Sequence, residues 1–376
     1  MKSKKPLMWS NILYIIGYHI LLIALLPLYF IFFKTSWLLF GISFTLLYAT
    51  GLAITAGYHR LYSHQTFKTN RWVEAVMVFF GTMATQGSVL RWANDHRLHH
   101  AHIDKEDDPY SVMRGFWHAH VFWMFRKQPP IDKKVVSDLY RSKLLVFQDK
   151  YYEPLMLLTN ALVTIFVGWI TGDFFGAFVI SWLLRLFLLH HFTWFINSLA
   201  HYWGHQNYST EHSAVDNYII CLLTFGEGYH NYHHTFAYDY RNGIRWYHFD
   251  PTKWLIWTLS KLGLAKGLRK VESGRISKQM ITEHKRVLIE KLQSAVTSKR
   301  TELEAKAAQL AESLTTKLQK MNDLAIKYKT FRNDQSVIPG TIKILKKEIS
   351  ALKKSLKKEW STWRRFSKQV MRLKAA

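Results

Sequence analysis

An all-α integral membrane protein is predicted, with four transmembrane helices, a cytosolic helical cap holding a two-metal site, and a basic C-terminal helical hairpin or coiled coil. Three observations predict it. Four apolar runs are long enough to cross a bilayer, which takes roughly 20 helical residues. Eight histidines stand in three tight clusters: His59 and His64 in HRLYSH; His96, His99 and His100 in HRLHH; His230, His233 and His234 in HNYHH. Beyond residue 274 the chain turns polar and basic, and its apolar residues recur every three or four positions. The domain reading is therefore 1–274 for the membrane unit and 275–376 for a separate module. The mean hydropathy of −0.09 averages these two unlike parts.

Residues 9–33 and 35–58 contain no Asp, Glu, Lys or Arg and form the first pair of spans. A cleaved signal peptide is excluded by the length of the first run and the lack of a small-residue cleavage site. Residues 154–171 and 174–199, parted by Gly172 and Asp173, form the second pair. Arg185, His190 and His191 interrupt the fourth span, and such groups face protein or a polar cavity rather than lipid. Lys2, Lys4 and Lys5 precede the first span and the C-terminal half is very basic, so both termini are expected in the cytoplasm. Four crossings then bring all three histidine clusters to one membrane face; three or five would separate them.

Residues 71–92 are apolar but hold Arg71, Glu74, Gln86 and Arg91, which predicts an interfacial helix rather than a fifth span. Residues 101–153 are polar, with loop signals, and are expected to form a cap of short helices. The region 271–376 carries 25 Lys+Arg against 10 Asp+Glu. Leu303, Ala307, Leu310, Leu314, Met321 and Leu324 mark one helix, although Lys317 falls where the seam wants an apolar residue. After the turn signal Pro339–Gly340, Ile342, Leu345, Ile349, Leu352, Leu356, Trp360 and Trp363 mark a second. This pair suits self-association or packing on a neighbour, and equally adsorption to anionic lipid. A membrane tether argues against nucleic acid as a partner.

Neutral imidazole is the commonest protein metal ligand, and no packing rule asks for it three times. On a helix, residues three and four apart share a face, so each HxxHH can aim its rings together. The one cysteine, Cys221, leaves no CxxC, so any metal is held by nitrogen and oxygen. A closed structural zinc takes four ligands, too few for this set, whereas two irons fit the count. Asn197 and His201 in NSLAH, at spacing i, i+4, suggest a ninth donor. A two-iron centre beside long apolar helices suits oxygen activation against an unactivated C–H bond of a lipid chain.

These residues closely resemble the membrane-bound acyl-CoA desaturases, the stearoyl-CoA Δ9-desaturase family. The likeness runs from Gly51 to Val271 on GLAITAGYHRLYSH, DHRLHH with DDPYSVMRGFWHAHVFWMF, TWFINSLAH, and GEGYHNYHHTFAYDYRNGIRWYHFDPTKW. It implies an oxygen- and electron-dependent insertion of a cis double bond, typically at C9–C10, into a long-chain acyl-CoA. The family's iron ligands match His59, His64, His96, His99, His100, His201, His230, His233 and His234, with Asn197 reaching a metal through water. The resemblance places Gln86, Trp92, Thr193 and Trp194 along a bent acyl tunnel, and Asp95, Arg126 and Lys127 at the coenzyme A head group. Asn94 and Gly87 depart from the family's usual arginine and asparagine, which keeps another thioester or a phospholipid in play. No haem-binding HPGG segment occurs, so a separate electron donor of cytochrome b5, ferredoxin or rubredoxin type is expected. The end MRLKAA shows no retention signal, which favours a bacterial inner membrane over the endoplasmic reticulum. His118, His120, His190, His191, His205, His212 and His248 show no cluster geometry, and His102, at i+2 from His100, faces elsewhere.

Overall fold

The structure, a computed structural model, describes residues 5–34, 36–295, 297–332, 334 and 339–373. Lys2, Lys4 and Thr35, on which part of the orientation and span reading rests, lie outside the described residues. The chain divides into two compact units, Met1–Gln206 with Glu211–Lys270, and Asn207–Thr210 with Val271–Ala376.

Among the described residues of the first unit, four helices are long and apolar enough to cross a membrane: Trp9–Phe32, Trp37–Ser63, Tyr152–Thr171 and Phe174–His201. Helix α1 (Trp9–Phe32) presents Leu13, Ile20, Ile23 and Ile31 outward, an apolar surface that suits lipid. Helix α2 (Trp37–Leu52) starts at Ser36, whose side chain accepts the Leu39 N–H, and runs on as a π-helix over Ala53–Ser63. Next come α3 (Arg71–Met83) and α4 (Val89–His102). The expected single helix over 71–92 is thus broken in two, where Thr85 and Gly87 take positive φ of 53° and 92° and Ser88 caps α4. At 13 residues, α3 is about 20 Å long, too short to cross. The cap holds α5 (Phe116–His120), α6 (Lys143–Lys150) and 3-10 turns.

Helix α7 (Tyr152–Thr171) stops at Gly172, which takes φ 68°, and Asp173 caps α8 (Phe174–Gly176). The fourth span continues through a π-helix (Ala177–Leu184) and α9 (Arg185–Asn197) to a 3-10 turn at Leu199–His201. Arg185 points into protein: it donates to Asn160 Oδ1 of α7 at 2.5 Å and to the Ser181 carbonyl at 2.7 Å. Three short helices complete the unit: α10 (Tyr218–Leu223), α11 (His230–Thr235) and α12 (Pro251–Lys261). Asp250 caps α12 with proline at the first turn. The one two-stranded pairing among the described residues joins β1 (Lys68–Thr69) to β2 (Ala265–Lys266), antiparallel.

Among the described residues the second unit has three helices rather than two: α13 (Ser273–Gln293), α14 (Arg300–Arg332) and α15 (Pro339–Met371). Ile281, Leu288 and Leu292 of α13 join Ala307, Ala311, Leu314, Leu356, Trp363 and Phe366 in one core. A two-helix seam would leave these faces half exposed, and α13 covers them. Pro339 is not a turn but the first residue of α15, where its fixed φ and missing N–H cost nothing. Lys317, the break in the apolar seam, bonds across to Glu359 at 2.5 Å.

Candidate metal centre

Two of the predicted ligands arrive on the π-helix. On an α-helix, residues five apart diverge by about 140°. Here the His64 N–H bonds the His59 carbonyl at i→i+5, 3.1 Å, so the two rings stand 4.8 Å apart, centroid to centroid. Helix α4 presents His96, His99 and His100, and α11 presents His230, His233 and His234. Asp216 holds α11 in place by accepting the Tyr232 N–H at 3.0 Å.

The nine histidines form two groups, one of His59, His64, His96, His100 and His233, the other of His99, His201, His230 and His234. Within each, one ring nitrogen per residue lies within 4.8 Å of all the others. The clusters are therefore split: α4 sends His99 to the second group, and α11 sends His233 to the first. Nε2–Nε2 separations are 2.8 Å for His64–His96, 3.0 Å for His59–His233 and 3.0 Å for His100–His233. In the second group they are 3.1 Å for His201–His230, 3.1 Å for His230–His234 and 3.4 Å for His99–His234. Ligands at right angles around a metal at about 2.1 Å stand about 3.0 Å apart. Five donors in one group exceed the tetrahedral number of a closed zinc site.

Four of the outer ring nitrogens have partners. His59 Nδ1 donates to Glu227 Oε2 at 3.1 Å and His99 Nδ1 to Asp108 Oδ1 at 2.9 Å. His96 Nδ1 meets the Tyr110 hydroxyl at 3.2 Å. His201 Nδ1 meets Ser213 Oγ at 2.8 Å, and Asp104 accepts from that hydroxyl at 2.6 Å. A proton held on Nδ1 leaves the Nε2 lone pair facing inward, and such lone pairs crowd together stably only around a cation. Burial, reinforced by neighbouring rings, pushes His96, His100, His230, His233 and His234 well below the ordinary imidazole range, into the neutral form that binds metal. Burial alone would raise the Glu227 carboxyl, but Arg60 at 2.8 Å and His59 hold it at about 2. Arg60 also bonds Asp250 at 3.0 Å, so the charge beside the first group is buried yet paired.

The family profile for "Fatty acid desaturase" matches residues 35–265, more than half of the chain. The chain belongs to the fatty acid desaturase family. It is 38% identical over 244 residues to "Acyl-CoA desaturase 1" of Saccharomyces cerevisiae, covering 64% of this chain and 48% of that protein. It is 36% identical over 271 residues to "sn-2 palmitoyl-lipid 9-desaturase" of a Nostoc species, covering 70% and 91%. It is 37% identical over 250 residues to "Stearoyl-CoA desaturase" of Sus scrofa, covering 65% and 69%. The chain spans about half the length of the yeast relatives it matches.

The remaining expected residues each have their own surroundings. Gln86 Nε2 donates to Thr193 Oγ1 at 2.9 Å, and Trp92 stacks on the ligand-group ring of His96 at 4.8 Å. Trp194 is buried and stacks on His190 at 5.1 Å. Asp95 is buried, which raises its carboxyl above the ordinary range against the pull of Arg91 at 3.3 Å. Asn94 Nδ2 donates to Asp95 Oδ1 at 2.9 Å. Arg126 and Lys127 meet the backbone of Lys5 and Pro6, at 3.0 Å and 2.9 Å. Asn197 does not share a helical face with His201, because α9 ends at Asn197 and a 3-10 turn carries His201 onward. The Asn197 side chain makes no hydrogen bond among the described residues.

Two features escaped the sequence reading. Glu227, Asp108 and Tyr110 lie inside the motifs, and a carboxylate within a histidine-dense word was the available signal; Ser213 lies between two motifs and offered none. His120 and His191 do have a geometry of their own: His19 Nε2 meets His191 Nε2 at 3.1 Å, His191 Nδ1 meets His120 Nε2 at 3.1 Å, and His120 Nδ1 meets Ser198 at 2.9 Å. His191 uses opposite nitrogens, so this is a string tying α1, α9 and α5 together, with no common point for a metal.

Proposed function

We propose that this chain is an oxygen- and electron-dependent desaturase that inserts a cis double bond, at C9–C10, into a saturated long-chain acyl-CoA. The observation that carries the reading is the convergence of nine imidazoles, six buried and three half-buried, in groups of five and four, where two membrane-length helices end beside α4 and α11. The reaction balances as one saturated chain, O2, two electrons and two protons giving one alkene and two waters. The donor set fits two iron ions, one held by His59, His64, His96, His100 and His233, the other by His99, His201, His230 and His234 with Asn197 through a water. Iron so held would supply the activation of O2 against an unactivated C–H bond.

The chain's own residues position and shield. Glu227, Asp108, Tyr110 and Ser213 fix ring orientation, and burial of the histidines excludes bulk water. Trp92, Trp194 and the Gln86–Thr193 pair are assigned to the wall of the acyl channel. Asp95, Arg126 and Lys127 are assigned to the coenzyme A head group, where cations favour phosphate. Asn94, in place of the usual arginine, and the lipid-acting Nostoc relative favour a second reading in which the acyl group is carried on a membrane lipid. Both termini are placed in the cytoplasm, in a bacterial inner membrane or the endoplasmic reticulum, with a separate electron donor of cytochrome b5, ferredoxin or rubredoxin type.

The test is expression in cells lacking their own desaturase, with a compatible donor, and mass spectrometry of acyl-CoA and phospholipid pools over time. A cis-9 product two mass units lighter that appears first as acyl-CoA supports the reading. First appearance on phospholipid moves the carrier to the second reading. A product sixteen units heavier, or none, overturns desaturation.

A further inference from the structure

The basic charge of the C-terminal unit has no role in the reaction, and its arrangement on α15 is not that of an ordinary solvated helix. Double-basic pairs begin at Lys346, Lys353, Lys357 and Arg364, and all eight side chains are exposed. Steps of seven, four and seven residues keep the pairs on one helical face, along a stripe of about 30 Å. The two acids of α15 do not interrupt it: Glu348 pairs with Lys320 at 3.3 Å and Glu359 with Lys317 at 2.5 Å, both on α14. The exposed face of α14 is by contrast mixed, with Glu302, Glu312 and Asp323 among Lys306, Lys320 and Lys327. The single-sign stripe is therefore a property of one helix, not of the whole unit.

The opposite face of α15 is already used. Leu345, Leu356, Trp363, Phe366 and Val370 are buried, and the large apolar side chains it leaves exposed, Ile344 and Met371, stand near its two ends. Deep insertion into a bilayer would require unpacking this core, and a second copy of α15 would meet like charge rather than an apolar seam. With Trp363 buried and Trp360 packed beside the core, the stripe also offers no aromatic platform for stacking bases.

We propose that α15 is a docking face for anionic phospholipid head groups of the bilayer that its own chain spans. The unit joins the membrane unit at Lys270–Val271, so the tether keeps that surface at high effective concentration. Binding is electrostatic, lies along the surface, and weakens as salt shortens the screening length. It rests on the four spans crossing a bilayer and not on the reaction proposed above.

The experiment uses the full chain in lipid nanodiscs, with Ser350→Cys carrying a donor dye on the stripe and an acceptor dye on the lipid head groups. Ser350 is exposed and Cys221 is buried, so the label is site-specific. Energy transfer is expected to be higher in discs with about 30% phosphatidylserine than in phosphatidylcholine discs, and the difference to vanish in about 0.5 M salt. It should vanish equally in the Lys353→Gln, Lys354→Gln, Lys357→Gln, Lys358→Gln variant, whose helix content stays unchanged because Gln and Lys have similar propensities. Equal transfer in both lipids, a full response in the folded variant, or loss of the difference on adding single-stranded RNA at equal phosphate concentration overturns the proposal.

Discussion

The two units handle polar groups in opposite ways. The first buries many of them: six of the nine clustered imidazoles, Arg60 between Glu227 and Asp250, Arg185 against Asn160. The second, among the described residues, buries only Ser209 and Glu283, and sends its other charges outward around an apolar core. A buried polar group is costly unless every partner is in place, so such groups persist where they do chemistry or hold what does. Exchange of a polar side chain should therefore be severe in the first unit and mild in the second, while loss of apolar volume should hurt the second most.

Replacing His233 by Ala is the largest break. It removes the ring that stands 3.0 Å from both His59 and His100, and double-bond formation in a desaturase-deficient host should disappear along with metal at the first group. Next comes Trp363→Ala, which empties a fully buried site and should cost the helical unit about 3–5 kcal/mol by thermal unfolding, with metal content unchanged. Glu227→Gln keeps the shape but weakens the hold on His59, and metal affinity should drop about 10–100-fold in chelator competition.

Glu283→Gln separates the units by pH. The Glu283 carboxyl accepts from Thr210 at 2.8 and 2.7 Å and pairs with Arg286, and although burial would raise it, these partners hold it below the ordinary carboxylate range. A carboxyl lowered in the folded state stabilises above its unfolded pKa, and that stability is lost as pH falls through the folded value. Wild type should be the more stable at pH 7, and the two should converge under acid titration followed by circular dichroism. Smallest of all, Lys353→Gln with Lys354→Gln should change unfolding by within about 0.5 kcal/mol and leave the double-bond product untouched.

The spans and the histidine groups were legible because their signals are local: apolar run length, and histidines three and four apart. The partition of HRLHH between two groups was not, because His99 departs only on account of His201, His230 and His234, distant in sequence. Nor was the π-helix, since HxxxxH on an ordinary helix would diverge and the i→i+5 bond leaves no mark of its own. The outer partners Glu227, Asp108 and Ser213 were hidden because carboxylates and hydroxyls are common and only contact reveals their use. His191 carried no cluster signal because its partner His19 lies on another span, 3.1 Å away in space but distant in sequence. Helix α13 was not read as a third partner, although Ile276, Met280, Ile281, Leu288 and Leu292 mark its apolar face, and Lys317 read as a defect until Glu359 stood opposite it.

The central claim is that two groups of histidines hold two ions. Its most direct measurement is metal content per chain of the purified full-length protein, by mass spectrometry with Mössbauer assignment, for wild type and His201→Ala. Two irons in the wild type and one, at the five-histidine group, in the variant is the predicted result. A wild type with a single metal, a zinc-filled protein that still makes the double bond, or a variant that keeps both irons would contradict it.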